Sequence, residues 1–517
     1  MDILIASGGL QGKKVDNSKL LKSRDNFLFW GEADSISGTT IFRGGRKEAE
    51  KAGVNMRNGR GRFNYIFDAN NDGLLDIFTS QNRRVSNELE PGILLINLGN
   101  RTWSKDSSMR EYSSAMMLTD ADGDGFAQEF LLNRGFCYPQ VRGLNERQIS
   151  NEIKNFCSKR PVGSTVVYKY NKEKSKMDNI SWKYFNVDSS QTNQPPCCPH
   201  GSWDTANNCN ARSLATGDFD NDKKADHIFL YSTKLVFYFS KDREKGEMPF
   251  GPRHKGFEIS FPKYCVSAQT VRVVDLDNSG VEQILVMCKN PGTFLLYSRL
   301  NPRNEKSWSL NNRCNHQDSM GDLSDISLAV PINYSAICKS KKEWARLEDY
   351  CSEIPATATS GMATVDLNND GFLDLVITHS FGYMLFFHNV PSLHAKQNKF
   401  IAFVLRGNGI ENNVYGIGAT LILYFQREGE YETSTLFREI SSHQHYHDDF
   451  GTRDERVIFG IGREAKPMNL LVRWPSGYIQ KLSLSEWQFS NYLEPIQVMD
   501  TSGTSRSFLI YFIWQHD

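Results

Sequence analysis

The sequence lacks an excess of charge of either sign, because its 60 lysine and arginine residues balance 60 aspartate and glutamate residues. Without a basic surplus there is no electrostatic case for binding nucleic acid or an anionic membrane surface. Long apolar runs are missing too: residues 508–514 form the longest run near the end, against the roughly 20 residues of a membrane-spanning helix. We therefore expect no nucleic-acid partner and no transmembrane segment.

A secretory signal peptide and a CxxC motif are also absent from the sequence. The N-terminal MDILIASGG has no basic region, no long apolar stretch and no cleavage site of a secretory signal peptide. None of the ten cysteines forms a CxxC pair, so a zinc ribbon or a thioredoxin-like motif has no support.

What is present instead is an even number of cysteines in the middle of the chain, several of them in loops rich in Pro and Asn. N-glycosylation sequons occur at Asn100, Asn179 and Asn333. These features favour an oxidising compartment, and we expect a secreted glycoprotein with at least three disulfides, Cys265 with Cys288 being a candidate pair. The alternative is a cytosolic protein with free thiols.

A short acidic pattern occurs five times and organises the chain. Each copy has a β-rich run, then D-x-[DN]-x-[DS]-G or a close variant, then a second β-rich run. The copies, which we call loops one to five, are FDANNDGLLDIFTS, TDADGDGFAQEFLL, GDFDNDKKADHIFLY, VDLDNSGVEQILVM and VDLNNDGFLDLVITH. Their first aspartates lie 52, 98, 57 and 91 residues apart. Two intervals have the length of one four-stranded propeller blade, and two have that of a blade with an insertion.

The spacing within each loop predicts a calcium site. Oxygens at alternate positions of a tight turn converge on one hard cation, and glycine at position six permits the bend. We expect three to five Ca²⁺ ions, held by side-chain oxygens and, at position seven, by a backbone carbonyl. The predicted ligands are Asp68, Asn70, Asp72, Leu74 and Asp76; Asp120, Asp122, Asp124 and Phe126; Asp218, Asp220, Asp222, Lys224 and Asp226; Asp275, Asp277 and Ser279; and Asp366, Asn368, Asp370, Phe372 and Asp374.

Three loops depart from the pattern. Loop two has Gln128 at position nine, with Glu129 one step later. Loop three has Lys223 in place of the glycine, and loop four is the weakest match because Gln283 stands at position nine.

Two other interpretations of the loops were weighed. An EF-hand needs a bidentate Glu at position twelve and a helix on each side, whereas position twelve here is Thr, Leu, Phe, Val or Ile and the flanks are strand-like. Plain Asp/Asn/Gly turns are the second possibility. Five copies at the same place in a repeat disfavour it, because clustered carboxylates without a cation repel one another.

The loops resemble the calcium loops of FG-GAP or VCBS repeats, the blades of integrin-α-type propellers. Around them NFLF, AGV, LLIN and GNRTW resemble the repeat of the cartilage acidic protein family, and GIGA, FGIG and VRWPSG resemble its ASPIC/UnbV domain. The resemblance covers about residues 2–497. It implies an all-β protein: an integrin-α-like propeller in residues 1–395, seven-bladed when complete, then a small β-sandwich-like domain in 396–500 and a tail in 501–517.

Two departures from that family matter. Residues 2–7 look like the strand that follows a calcium loop, so we expect a chain truncated at its N-terminus that lacks a signal peptide and one or two blades. An EGF-like module is not expected, because no cysteine follows Cys351.

In the C-terminal domain, Trp474 is expected to anchor the core rather than to stack on a ligand. The triplet His443, His445 and His447 could share one face of a strand and bind zinc or copper, although solvated loop histidines are the plainer interpretation.

The sequence analysis thus favours a monomeric extracellular interaction protein of adhesion or matrix type, with structural calcium and a protein or glycan ligand, and not an enzyme. The alternative is a metal-dependent enzyme, either an oxidase that uses the three histidines or a propeller that acts on polysaccharides.

Overall fold

The computed structural model describes residues 3–5, 26–33, 40–56, 61–81, 92–111, 113–134, 165–181, 211–240, 256–263, 265, 268–288, 294–299, 308–311, 326–328, 359–368, 370–379, 384–387, 389–391, 393, 395–429, 431–441, 444–445, 456–484 and 509–514. These residues lie mostly in antiparallel strands with very little helix, which confirms the predicted all-β class. No helix of this described part is long and apolar enough to cross a membrane.

Six sheets follow one another along the first three quarters of the chain. Sheet one contains β1 (Ile3–Ile5), β2 (Phe27–Ala33) and β3 (Thr40–Gly45), and α1 (Arg46–Lys51) follows it. Sheet two contains β4 (Gly61–Phe67), β5 (Asp76–Gln81), β6 (Gly92–Asn97) and β7 (Trp103–Glu111). Sheet three contains β8 (Ser113–Thr119), β9 (Glu129–Arg134), β10 (Thr165–Asn171) and β11 (Lys176–Asn179).

Sheet four contains β12 (Ser213–Gly217), β13 (Asp226–Leu230), β14 (Lys234–Tyr238) and β15 (Phe257–Ser260), and sheet five contains β16 (Ala268–Val274), β17 (Gln283–Cys288), β18 (Phe294–Arg299) and β19 (Trp308–Asn311). After β20 (Ile326–Leu328), sheet six contains β21 (Thr359–Val365), β22 (Asp374–His379) and β23 (Met384–Phe387). β24 (Asn389–Pro391) pairs with β20.

Sheets two to six share one plan. Each is a meander of antiparallel strands, and its acidic loop joins the first strand to the second. The first strands lie side by side in chain order: β4 is next to β8, β8 next to β12, β12 next to β16, and β16 next to β21. This succession is what a propeller requires. The number of blades in a closed ring stays a prediction.

The central strands of these sheets are apolar on both faces because another sheet packs against each face. Every residue of β13 is buried, and so is every residue of β17. Phe229 packs in a core shared with Leu131 and Val167 of sheet three, whereas Ile228 packs in a core shared with Ile284 of sheet five. The continuous hydrophobic runs in the sequence therefore reflect stacking of sheets.

The C-terminal domain has two sheets. Their strands are β25 (Lys399–Arg406), β26 (Thr420–Arg427), β27 (Ser434–Glu439), β29 (Arg456–Gly462), β30 (Ala465–Arg473), β31 (Ile479–Ser483) and β32 (Leu509–Trp514). β28 (Gln444–His445) instead joins sheet three, where it pairs with β8. One sheet has the order β29-β25-β32 and the other has the order β27-β26-β30-β31. Residues 501–517, predicted as a tail, thus contribute a strand that pairs with β25.

Alternate residues of β25 and β26 are buried in one core, as expected for two sheets packed face to face. Trp474 is fully buried there and its Nε1 donates to Gln480 Oε1 at 3.1 Å, which confirms its predicted structural role.

A disulfide joins Cys265 to Cys288, as the sequence analysis expected. Cys265 precedes β16 and Cys288 ends β17, so the bridge closes the hairpin that carries loop four. The other eight cysteines lie outside the described residues, and the prediction of at least three disulfides is not tested. Of the three sequons, Asn100 and Asn179 are exposed, and Asn333 lies outside the described residues.

Candidate metal sites

Loops one, three, four and five close in the same way, through the carboxylate of their first aspartate. In loop one, Asp68 Oδ1 accepts the N–H of Asp72 at 3.1 Å and its Oδ2 accepts the N–H of Gly73 at 2.9 Å. The first aspartates of the other three accept the N–H groups of positions five and six at 2.9–3.1 Å. Positions one, five and six of the sequence pattern are therefore the residues that close the folded turn.

In three of the loops, the carboxylate at position nine accepts one backbone N–H from its own loop and a second from a residue farther along the chain. Asp76 Oδ2 accepts the N–H of Ala69 at 2.8 Å, and its Oδ1 accepts the N–H of Asn97, at the end of β6, at 2.7 Å. Asp226 makes the same two bonds with Phe219 and Ser240, and Asp374 makes them with Leu367 and Asn389. Backbone hydrogen bonds thus hold each of these three acids in position.

The carboxylates are buried, and burial disfavours their charge. Burial, with a contribution from Asp72, raises the pKa of Asp68 to about 7, and burial raises the pKa of Asp76 to about 7. Burial and the charges of Glu282, Asp222 and Asp220 raise the pKa of Asp218 to about 8. A cation within the loop would offset these costs, which a plain solvated turn would not incur.

Acid oxygens converge most closely in loops two and three. In loop three, ligand oxygens of Asp218, Asp220 and Asp222 lie within 4.8 Å of one another, and in loop two those of Asp120, Asp122 and Glu129 do the same. Ca²⁺ binds oxygen at about 2.3–2.6 Å, so two of its ligands can be at most about 5.2 Å apart. Loops one and five have the same hydrogen-bonding frame, with Asn70 and Asn368 at position three.

The bend at position six does not require glycine in loop three. Gly73 and Gly371 have φ values of 86° and 83°, in the left-handed region that glycine favours. Lys223 takes up φ 67° there, and its ammonium lies 5.2 Å from the centroid of the Tyr424 ring in the C-terminal domain. The substitution thus keeps the turn and adds a cation–π contact.

Loop two differs from the rest in its acid and in its counter-charge. Glu129 is the register partner of Thr119, the residue before Asp120, as Asp76 is the partner of Phe67. The acid that stands in the place of position nine is therefore Glu129, which was not among the predicted ligands. Lys169 of β10 faces it: its Nζ lies 2.5 Å from Glu129 Oε1, 3.3 Å from Asp122 Oδ2 and 3.6 Å from Asp124 Oδ2.

The charges around Lys169 keep it protonated. Burial alone would lower the pKa of Lys169, but Glu129, Asp122 and Asp124 together raise it above its ordinary value. Loop two is thus the loop into which the chain itself inserts a cation among the predicted ligands.

Loop four has the poorest donor set. Gln283 Oε1 accepts the N–H of Leu276 at 3.4 Å, so an amide replaces the carboxylate of position nine. Burial and the neighbouring Asp277 raise the pKa of Asp275. Two carboxylates, a serine and an amide make it a weaker calcium site than loops one, three and five.

All five loops contact the C-terminal domain. Gly73 of loop one abuts the backbone of Gly409, and an added Cβ would lie 2.4 Å from the Gly409 carbonyl carbon. In loop two, Thr420 Oγ1 donates to the Gly125 carbonyl at 3.3 Å and Gln128 Nε2 donates to the Pro475 carbonyl at 2.9 Å.

Loops three, four and five make further contacts with the same domain. Ala225 of loop three packs with Ile422 and Phe437. The N–H of Gly462 donates to the Asn278 carbonyl of loop four at 2.9 Å. In loop five, Arg456 Nη1 donates to Asp366 Oδ2 at 3.1 Å. The five loops therefore share one face, which we call the loop face, and the C-terminal domain covers it.

A continuous apolar core joins the two parts of the chain. Phe67 and Phe130, at the ends of β4 and β9 nearest the loops, stack at 4.6 Å between centroids. They belong to the same core as Ile401 and Phe403 of the C-terminal domain. Each fully buried large side chain contributes on the order of 1.5–3 kcal/mol of transfer free energy, so the interface is part of the fold.

The predicted histidine cluster is described only in part. His445 lies in β28, which pairs with β8 at the register Gln444↔Met116 and His445↔Ala115. His443 and His447 lie outside the described residues. The hypothesis of a transition-metal site is thus neither supported nor tested by the described geometry.

Three functional residues were missed by sequence reasoning. Glu129 could have been found, because an acid one step late in a loop with one extra residue can still begin the second strand. Lys169 and Arg456 could not, because they are 43 and 82 residues beyond the last predicted loop ligand before them and only the fold brings them to the loops.

Comparison with known proteins identifies one part of the chain. Residues 409–489 match the family model described as ASPIC and UnbV, which supports the predicted nature of the C-terminal domain. The match lies within residues 396–500 and covers that domain alone. The comparison with curated proteins finds no match.

Solved structures give only distant similarities. The chain is 9% identical to an exo-β-1,3-galactanase from Phanerochaete chrysosporium, with 94% of this chain and 95% of that chain covered and a TM-score of 0.26. For the biofilm matrix protein Bap1 of V. cholerae the identity is 10%, the coverages 88% and 68%, and the TM-score 0.26. For a fructofuranosidase from Schwanniomyces occidentalis these values are 8%, 89%, 95% and 0.27. TM-scores this low carry no argument about function.

Proposed function

We propose that this chain is an extracellular interaction protein built on a calcium-stabilised β-propeller. Loops one, three and five each bind a structural Ca²⁺, and the ASPIC/UnbV-type domain is seated on the loop face. The ions have no catalytic role: each neutralises a carboxylate cluster and holds the turn between the first two strands of a sheet.

One observation carries the calcium proposal: buried acids recur at the same positions of a repeated turn. In loop three, the oxygens of three aspartates already converge to within 4.8 Å. In loops one and three, the first acid is one whose pKa burial raises to about 7 or 8. Acids that are preorganised and costly to ionise together favour a divalent cation of the size and hardness of Ca²⁺.

The experiment that tests this proposal compares calcium with chelator in one variant of loop five. Asp370→Ala removes the acid at position five, whose Oδ1 accepts the N–H of Phe372 at 2.9 Å. At an ion concentration a hundred times Kd, a bound ion contributes about 2.7 kcal/mol to the free energy of unfolding. We therefore expect Asp370→Ala to melt several degrees lower than the wild type in calcium, and the gap to shrink sharply in excess chelator.

A matched control is Glu432→Ala, which removes an exposed acid from a turn of the C-terminal domain. It should melt like the wild type in both conditions. An Asp370→Ala deficit that is equal in calcium and in chelator would show that loop five is only a turn.

The interaction role follows from the architecture. A rigid scaffold of stacked sheets presents loops at its surface, and such loops commonly bind partners. Because the loop face is covered, a protein or glycan ligand would bind elsewhere on the molecule. The interaction role is tested by measuring retention of matrix proteins or glycans on the immobilised chain, with free matrix as competitor. No retention in the presence of calcium would contradict the interaction role.

A further inference from the structure

Loop two has the acids of a calcium loop, but its last acid makes a contact that loops one, three and five do not have. In loops one, three and five, the carboxylate of position nine takes a backbone N–H from Asn97, Ser240 or Asn389 beyond the second strand of its sheet. In loop two, the corresponding acid, Glu129, takes the ammonium of Lys169 instead, at 2.5 Å. In loop two, a charged side chain therefore takes the place of the backbone N–H that contacts the last acid in the other three loops.

The register of the sheet holds this lysine in place. Lys169 of β10 is the direct cross-strand partner of Glu129 of β9. The neighbouring pair is Tyr168 and Phe130, of which Phe130 is fully buried and Tyr168 nearly so. The lysine side chain is itself 29% exposed and the Glu129 side chain is fully buried, so the ammonium approaches the loop from the strand side.

The ammonium lies among acid oxygens that a cation bound in loop two would need. Its nitrogen is 2.5–3.6 Å from oxygens of Glu129, Asp122 and Asp124. Ca²⁺ needs these same oxygens at about 2.3–2.6 Å, so nitrogen and ion cannot both occupy the space between them. Two cations at such a separation would also repel each other strongly in a partly buried site.

Lys223 near loop three and Arg456 near loop five have different positions. Lys223 of loop three extends to the Tyr424 ring. Arg456 reaches loop five from the C-terminal domain and binds Asp366 through Oδ2 and through the backbone carbonyl, at 3.1 and 2.8 Å. Its first contact is with the oxygen that already accepts the N–H of Gly371.

We propose that Lys169 is a built-in substitute for the calcium ion of loop two, so that this loop is held by the chain's own ammonium and does not bind Ca²⁺. The proposal rests on calcium binding by loops one, three and five, and it departs from the expectation that Asp120, Asp122, Asp124 and Phe126 are calcium ligands. It also makes one turn of the repeat independent of calcium.

Counting bound Ca²⁺ on the full chain, by equilibrium dialysis followed by elemental analysis, tests the proposal. Asp122→Ala should leave the count of the wild type unchanged, whereas Asp370→Ala should lower it by one. Lys169→Met removes the ammonium but keeps the length of the side chain, and it should raise the count by one. Adding Asp122→Ala to Lys169→Met should abolish that gain.

Stability gives a second measurement. Without its ammonium, Glu129 is buried among acids, so Lys169→Met should melt below the wild type in chelator and recover most of the loss in calcium. Loss of one ion in Asp122→Ala, or no additional ion in a folded Lys169→Met, overturns the proposal. If Lys169→Met does not fold, the ion count of Asp122→Ala decides alone.

These outcomes also separate this proposal from the one on which it rests. A wild type that binds no Ca²⁺ would remove the proposed function. A wild type that loses an ion with Asp370→Ala and also with Asp122→Ala would remove only the role given to Lys169.

Discussion

At the scale of single residues, the same residue type has different roles at different copies of one turn. Lysine at position six of loop three contacts an aromatic ring of the neighbouring domain, whereas lysine on β10 lies among the acids of loop two. Glycines differ in the same way: some are needed only for a left-handed backbone conformation, and others also leave space for a neighbouring side chain. A comparison of two glycines separates these effects.

Gly371 and Gly429 have nearly equal backbone angles, with φ of 83° and 81°. A Cβ on Gly371 would lie 1.9 Å from Phe400 Cε1, whereas a Cβ on Gly429 has nothing within 4 Å. Alanine in the left-handed region costs roughly 1–2 kcal/mol at either position. We therefore expect Gly429→Ala to be mildly destabilising and Gly371→Ala to be destabilising by clearly more.

Denaturant unfolding of the two variants, side by side, measures the difference. Because the backbone cost is common to both, the excess for Gly371→Ala reports the contact between loop five and the C-terminal domain. Equal losses would mean that this contact adds nothing to stability.

At the scale of elements, the hairpin is the repeated unit, and loop four is the copy with the fewest carboxylates at the predicted ligand positions. It is also the copy whose hairpin carries a disulfide, between Cys265 and Cys288. A covalent bridge across the ends of the two strands limits the unfolded chain in a way that a weak ion site cannot.

Replacing both cysteines, as Cys265→Ser with Cys288→Ser, should lower the free energy of unfolding by about 3 kcal/mol, given the 23-residue separation. Reductant should lower the stability of the wild type by more than that of the double variant, which already lacks this bridge. Peptide mapping without reduction should recover the two cysteines as one linked pair. Recovery of both as alkylatable thiols would contradict the bridge.

The elements and the loop frame were predictable from sequence because both depend on local chemistry. Asp and Gly at fixed spacing determine which N–H groups Asp68 and Asp366 accept, and the apolar runs of β13 and β17 show that these strands are covered on both faces. The counter-charges were not predictable, since Lys169 reaches Glu129 only through the pairing of β9 with β10. The docking of the C-terminal domain was missed for a similar reason: the residues in contact, such as Gln128 with Pro475 and Arg456 with Asp366, are far apart in the sequence and form no sequence pattern.

At the scale of the whole molecule, the C-terminal domain contacts the loops that we propose to bind Ca²⁺, so we expect ion binding to stabilise the docked domain. One amide reports on the docked state, because the N–H of Gly462 donates to the Asn278 carbonyl of loop four at 2.9 Å. The N–H of Gly418, which donates to Ile440 within its own domain at 2.7 Å, is an internal control.

Calcium removal should speed hydrogen exchange at Gly462 much more than at Gly418, because the loops lose the ions that hold them against the domain. Exchange followed by mass spectrometry, in calcium and in chelator, measures both sites in one sample. If the two amides respond alike, or neither responds, the domain stays docked without the ions.

The shared core of Phe67, Phe130, Ile401 and Phe403 has a consequence for the order in which the protein is made. A ribosome releases the two phenylalanines of sheets two and three long before it releases the strand that covers them. At roughly 5–20 residues per second, that apolar surface stays without its partner for on the order of tens of seconds. The early sheets must therefore be kept from associating with other chains until the C-terminal domain emerges. We expect this protein to depend on chaperones mainly during synthesis, before that domain has docked.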